Sequence, residues 1–208
     1  MFITFEGLDL SGKSTQAELL AQRLTREGYN VLFVREPGGT EIGEKIRSIL
    51  LDNRTEGMSE ITEVFLFSAS RAQLVLDVIR PALDAGTIVV CDRFYDSTTA
   101  YQGWGRQIPL DAIEAINRTA TGGLAPALTV FLDVSLDKLE RRMKVRRAGK
   151  DRMELNGRPF YERVRNGYLA IAGREKRVLV VDGMQSVEDL EQQIWRQVEP
   201  RLARKTQS

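Results

Sequence analysis

Short apolar runs alternate along this chain with longer stretches in which apolar residues recur every three or four positions. "FITFEG" reads as a buried strand ending at Gly7. Lys13 to Glu27 carries Ala17, Leu20, Ala21 and Leu24 as a helical stripe closed by Gly28. "NVLFVRE" is a second strand, broken by "PGGT", and "EIGEKIRSILLD" is helical in pattern. From Ser59 to Ala85 the positions Ile61, Phe65, Ala69, Ala72, Leu76, Ile79 and Leu83 predict one long helix ended by Gly86. On that helix Phe65 is expected in the core, and Phe67, two residues on, points elsewhere. "TIVVCD" and "LTVFLD" are apolar runs that stop at an aspartate. "RVLVVDG" is a fifth strand, and a last helix lies near Val187 to Leu202.

Strands that are apolar throughout and alternate with helices predict a parallel sheet covered on both faces. The expected fold is α/β, a doubly wound five-stranded parallel sheet with flanking helices, and the G-x-x-x-x-G-K-[ST] run at residues 7–14 makes it one of P-loop NTPase type. Ligands of such sheets bind just past the carboxyl ends of the strands, where Gly7, Glu36, Asp92, Asp133 and Asp182 should lie. With 208 residues and no internal repeat or linker, a single domain spanning 1–208 is expected.

Composition narrows the chemistry. Net charge is +1, from 30 basic and 29 acidic residues, which argues against a binder of nucleic acid polymers. There is no histidine, so serine–histidine catalysis and histidine metal ligation are excluded. One cysteine, Cys91, cannot form a disulfide framework and suits a reducing compartment. No apolar run approaches a membrane span, and "MFITFEG" lacks a basic start and cleavage region, so no signal peptide is expected.

Gly7-Leu8-Asp9-Leu10-Ser11-Gly12-Lys13-Ser14, followed by Thr15, fits G-x-x-x-x-G-K-[ST] between a predicted strand and a predicted helix. The glycines let backbone N–H groups turn inward around phosphates, and the helix N-terminus adds partial positive charge. Lys13 should reach the β- and γ-phosphates, and the Ser14 hydroxyl should ligate Mg²⁺. The motif alone means that a nucleoside triphosphate binds. A GTPase would need a guanine-reading N-K-x-D, and none occurs. In "CDRFYDSTTAYQGWG", Asp92 could hold Mg²⁺ through water and Arg93 could fork onto phosphate oxygens. Alternatively the two could form a local ion pair capping a helix. Glu36, before Pro37, either joins the site or caps the following helix.

"FEGLDLSGKSTQ", "REPGGTEIGEKIR", "FLFSASRAQ", "DRFYDSTTAYQG" and "RRAGKDR", in that order, closely resemble the thymidylate kinases of bacterial type. The resemblance implies transfer of the ATP γ-phosphoryl group to dTMP, with Mg²⁺, in a cytoplasmic homodimer whose interface could be the Ser59–Ala85 helix. It implies that Phe67 stacks on thymine, that Arg71 donates to the thymine O4, and that Gln102 also reads the base edge. Tyr101 would wall off the sugar C2, and Asp9 would meet the 3′-hydroxyl or an attached arginine. Arg93 would bridge the acceptor phosphate and the transferred group, with Ser97 and Arg47 near the acceptor.

A basic segment follows. From Arg141 to Arg158 there are eight basic residues, opposed by Asp151 and Glu154. It could be a solvated helix face or a lid over about 141–158 that brings arginine to the triphosphate. Some thymidylate kinases carry a basic residue within the phosphate loop. Here that place is Leu10, so the resemblance assigns the charge to Arg147, with Arg146 as competitor, and sets Arg142 against the adenine ring. The alternatives are another pyrimidine nucleotide or nucleoside kinase, and a P-loop switch that hydrolyses its nucleotide slowly.

Overall fold

The computed structural model describes residues 1–55, 57–145 and 152–202. Five strands, β1 (Phe2–Gly7), β2 (Val31–Arg35), β3 (Ile88–Asp92), β4 (Leu128–Asp133) and β5 (Val178–Asp182), form one sheet in the order β2-β3-β1-β4-β5. All neighbours are parallel. The register pairs Phe5 and Arg35 with Asp92, Gly7 with Leu132 and Asp133 with Asp182. The carboxyl ends are therefore level, and the residues expected at that edge lie there.

Helices α1 (Lys13–Arg26) and α9 (Val187–Val198) cover one face. Ile3 and Phe5 of β1 pack there with Leu20, Leu24, Ile194 and Trp195. The other face holds α3 (Glu60–Leu74), α5 (Tyr95–Thr98) and α8 (Arg158–Arg174). Phe2, Thr4 and Glu6 point into that side because side chains alternate along a strand. This face is partly polar. Thr4 and Thr129 share a hydrogen bond of 2.8 Å, and Arg177 clamps Asp96 at 2.7 and 2.8 Å. The remaining helices are α2 (Glu41–Leu51), α4 (Arg80–Asp84), α6 (Leu110–Thr121) and α7 (Leu136–Val145).

The long helix differs from its expectation in two ways. A π-helical stretch at Val75–Ile79 joins α3 to α4, so the strict helical period shifts midway. The predicted apolar stripe also divides, its first part facing outward while Ile79 enters the core and Leu83 packs against it. Ile61, Phe65 and Leu76 are more than half exposed, and Phe65 is not a core residue. The inner face carries Val64 and Leu74 together with Glu63, Ser70 and Arg71. The polar residues face inward because they have buried partners there. Thr40 caps α2 through Gly43 N–H, so Glu36 has no capping role.

A second π-helical stretch, Thr99–Gly105, packs on α8. At Gly167 of α8, an added Cβ would lie 2.6 Å from Trp104 Cγ and 2.8 Å from its Cβ. Alanine in a helix interior normally stabilises by about 1 kcal/mol over glycine, but overpacking costs about 1–3 kcal/mol. Gly167→Ala should therefore lower the melting temperature, by up to roughly 8 °C for a chain of this size. A rise in melting temperature would show that the contact can relax and that propensity decides.

Candidate functional site

The loop from Gly7 to Ser14 joins the end of β1 to α1. Gly7 has φ +149°, and a Cβ there would meet the Leu132 carbonyl oxygen at 2.8 Å and Ser11 Oγ at 2.9 Å. Only glycine fits. Lys13 is buried, and burial together with the nearby Arg93 charge holds its ammonium below the ordinary range. Ser14 Oγ, in the first turn of α1, donates to Asp92 Oδ2, at the end of β3, at 2.5 Å. The other oxygen, Asp92 Oδ1, is buried without a hydrogen-bond partner. A hydroxyl beside an unpaired carboxylate oxygen, at a phosphate-type loop, is a donor set for a hard cation with its waters. Among the described residues no group of three or more metal-ligating side chains occurs. Any cation here would therefore take most of its ligands from water or phosphate.

Arg93 follows β3 with φ +72°, a region that non-glycine residues rarely adopt. Its Nη2 donates to Asp9 Oδ1 at 2.6 Å and Tyr101 Oη at 3.3 Å. Its Nη1 lies 3.0 Å from both the Gly7 carbonyl and Ser97 Oγ, and 3.3 Å from Tyr168 Oη. Tyr101 Oη donates to Asp9 Oδ2 at 3.1 Å. Burial would raise the Asp9 carboxyl, but Arg93 and Lys13 outweigh it and hold Asp9 below the usual range. The Asp92–Arg93 pair is thus not an ion pair: Asp92 turns to Ser14 and Arg93 to Asp9.

Deeper in, Arg71 of α3 is almost wholly buried. Its Nε donates to Glu36 Oε2 at 2.8 Å, Nη1 to Asn117 Oδ1 at 3.2 Å and Nη2 to Thr98 Oγ1 at 2.9 Å. Burial pushes the Glu36 carboxyl up to about 7, against the pull of Arg71. Glu36 Oε1 is buried without a partner. Gln102 Nε2 donates to Glu63 Oε1 at 2.9 Å, and Glu63 also pairs with Arg152 at 2.7 Å. Arg47 Nη1 donates to the Pro37 carbonyl at 2.9 Å.

Most of these groups line one cavity of about 300 Å³. Asp9, Lys13, Ser14, Asp92 and Arg93 stand at one end. Phe67, Arg71, Tyr101, Gln102, Ser97, Glu36 and Arg47 complete its walls. A larger cavity, about 410 Å³, lies behind α5 and α6 and contains none of the phosphate-loop residues. Size therefore does not locate the site; the convergence of loop, cations and carboxylates does.

The basic segment divides. Arg142 of α7 donates to the Leu10 carbonyl at 2.6 Å, on the outer side of the loop. Arg152 is tied to Glu63 and to the Leu50 carbonyl, and Arg158 to Asp137, Glu140 and Glu162. Arg146 and Arg147 lie outside the described residues. Sequence reasoning missed Glu6, Tyr168, Arg35, Thr98, Asn117 and Met153. Of these, Glu6 alone carried a signal, a charged residue on the inward face of an apolar strand.

The family model described as thymidylate kinase matches residues 5–194. A protein named thymidylate kinase from Kosmotoga olearia is 48% identical over 195 residues, covering 93% of each chain. Another so named, from Symbiobacterium thermophilum, is 47% identical over 206 residues, covering 99% of this chain and 95% of its own. The crystal structure of thymidylate kinase from Ehrlichia chaffeensis superposes with a TM-score of 0.78 at 33% identity, covering 96% of this chain and 98% of its own.

Proposed function

This chain belongs to the thymidylate kinase family, and we propose that it transfers the γ-phosphoryl group of ATP to dTMP, giving ADP and dTDP. The observation that carries the reading is the joining of a phosphate loop to a base-sized pocket through Arg93 in one cavity. A hydrolytic switch has no use for Phe67, Arg71 and Tyr101 opposite its phosphate loop.

The acceptor phosphate oxygen is already a nucleophile, so no strong general base is required. Rate comes from positioning and charge neutralisation. Residues 7–15 cradle the ATP phosphates, and Lys13 reaches the β- and γ-groups. Arg93 bridges the acceptor phosphate and the group in transfer, with Ser97 and Arg47 at the acceptor. Asp9 fixes Arg93 and faces the sugar. Phe67 stacks on thymine, Arg71 donates to O4, Gln102 reads the adjoining edge and Tyr101 closes the space at C2. Glu36 serves by holding Arg71. Ser14, and Asp92 through water, would hold Mg²⁺, which supplies charge neutralisation to the phosphates when bound. Arg142 lies on the adenine side. Arg147, or Arg146 beside it, would bring the positive charge that Leu10 does not, from a lid over about 141–158 of a single domain.

The outward-facing Ile61, Phe65 and Leu76 support a homodimer formed through α3 and the π-helical stretch that follows it. No helix among the described residues is long and apolar enough to cross a membrane, and the buried free Cys91 supports a cytoplasmic setting. Sedimentation velocity should give twice the chain mass; a monomer at micromolar concentration would contradict the dimer. The reaction is tested by ADP release from ATP with dTMP, dUMP, dCMP, AMP, GMP or no acceptor. We expect strong stimulation by dTMP. With dCMP an amino group would meet the Arg71 donors, a mismatch worth on the order of 10⁴–10⁵ in discrimination. No stimulation by dTMP over the blank would overturn the reading.

A further inference from the structure

Glu6 is fully buried at the end of β1, beneath the floor of the cavity. Its Oε2 accepts from Ser97 Oγ at 2.5 Å and Tyr168 Oη at 2.9 Å, and its Oε1 accepts from Phe94 N–H at 2.8 Å. Those two hydroxyls are also the oxygens that Arg93 Nη1 approaches, at 3.0 and 3.3 Å. Each hydroxyl has one proton to give. The two hydroxyl oxygens also lie 2.9 Å apart, but an ionised carboxylate, which can only accept, draws both protons toward itself and turns the lone pairs of both to the guanidinium. We infer that Glu6, acting through Ser97 and Tyr168, is a positioning residue for Arg93 in phosphoryl transfer. The inference rests on the kinase reading above.

The orientation depends on the carboxyl remaining ionised. A protonated Glu6 would itself donate, reverse one hydroxyl and set O–H against N–H. Burial, and then the Asp96 charge, raise its carboxyl to about 7, while Ser97, Arg93 and Phe94 N–H pull it down. The charged and titratable groups facing it are Asp96 and Tyr95 of α5, Arg93, Tyr168 of α8, Lys13 of α1, Glu36 and Cys91. Asp96 is clamped by Arg177, and Glu36, also raised to about 7, bonds Arg71 rather than Arg93, so it is Glu6 whose protonation Arg93 senses as pH falls through neutrality. Active enzyme needs the ionised form, so this contribution to rate is lost as pH drops through about 7. Phosphate monoesters contribute a separate limb near pH 6.

Glu6→Gln keeps size and buried hydrogen bonding but removes the charge. Its single-turnover rate with ATP and dTMP at pH 8 should fall on the order of 10²-fold, the effect of a small misplacement of a reacting group, with the KM for ATP nearly unchanged. Tyr168→Phe keeps the packing and deletes one of the two hydroxyls. Its rate should fall roughly tenfold, the worth of one hydrogen bond to a charged group. Its upper acid limb should move to higher pH, because the ionised carboxylate has lost a donor. In ¹⁵N NMR spectra the Arg93 guanidinium signals of the wild type should shift with a midpoint near that limb, and should not do so in Glu6→Gln. If Glu6→Gln does not fold, Tyr168→Phe and the wild-type Arg93 titration carry the test. An active wild type whose Tyr168→Phe variant keeps both rate and limb, with Arg93 signals indifferent to pH, would overturn this inference alone. A wild type inactive with dTMP would overturn the kinase reading, and the inference with it.

Discussion

The guanidinium of Arg93 is the tie between the two halves of the cavity. It reaches from the end of β3 to the Gly7 carbonyl and Asp9 carboxylate on the loop after β1, and to Ser97 on the helix beyond. Strand order makes this possible, because β1 and β3 are neighbours with level carboxyl ends. The backbone at Arg93 sits at φ +72°, a conformation that costs of order 1–3 kcal/mol and persists where surrounding contacts over-determine it. Here those contacts are the hydrogen bonds of its own side chain. Taking the chain through that conformation sends Asp92 toward Ser14 and Arg93 toward Asp9, so that neighbouring residues serve opposite sides of the cavity.

A second buried cation, Arg71, plays the same part at the far end. Its pairing with Glu36 is not an efficient way to stabilise a core, since desolvation offsets much of the attraction in buried ion pairs. Packed apolar residues would do as well. What the pair supplies is a guanidinium with fixed orientation at a wall of the cavity, held by four residues from three segments of the chain. The same logic explains why α3 turns Glu63 and Arg71 inward and leaves Ile61 and Phe65 outside. The inner face of that helix is built for polar partners, and the apolar face is left for another surface.

The strands were legible because parallel strands covered on both faces must be apolar along their whole length. The phosphate loop was legible because its glycine spacing is demanded by backbone geometry. Gly7 cannot carry a side chain there. Phe67, Arg71, Arg93, Tyr101 and Gln102 share a cavity, and no periodicity marks them. The orientation of α3 was misread because periodicity shows that a helix has an apolar side, not which way that side faces. The π-helical stretches have no signature in residue spacing. Glu6 escaped notice because a single glutamate closing an apolar run reads as a strand terminus. Its partners Ser97 and Tyr168 lie about 90 and 160 residues away in sequence, beyond any local pattern.

If Arg93 acts by fixed geometry rather than by charge alone, a flexible cation in its place should not substitute. Lysine keeps the charge but offers one nitrogen where the guanidinium offers a planar fork. The direct measurement is the single-turnover rate of Arg93→Lys with ATP and saturating dTMP, beside dTMP affinity by calorimetry. The account predicts a rate lower by on the order of 10²–10³, with a much smaller change in dTMP affinity. Wild-type turnover from the lysine variant would contradict it.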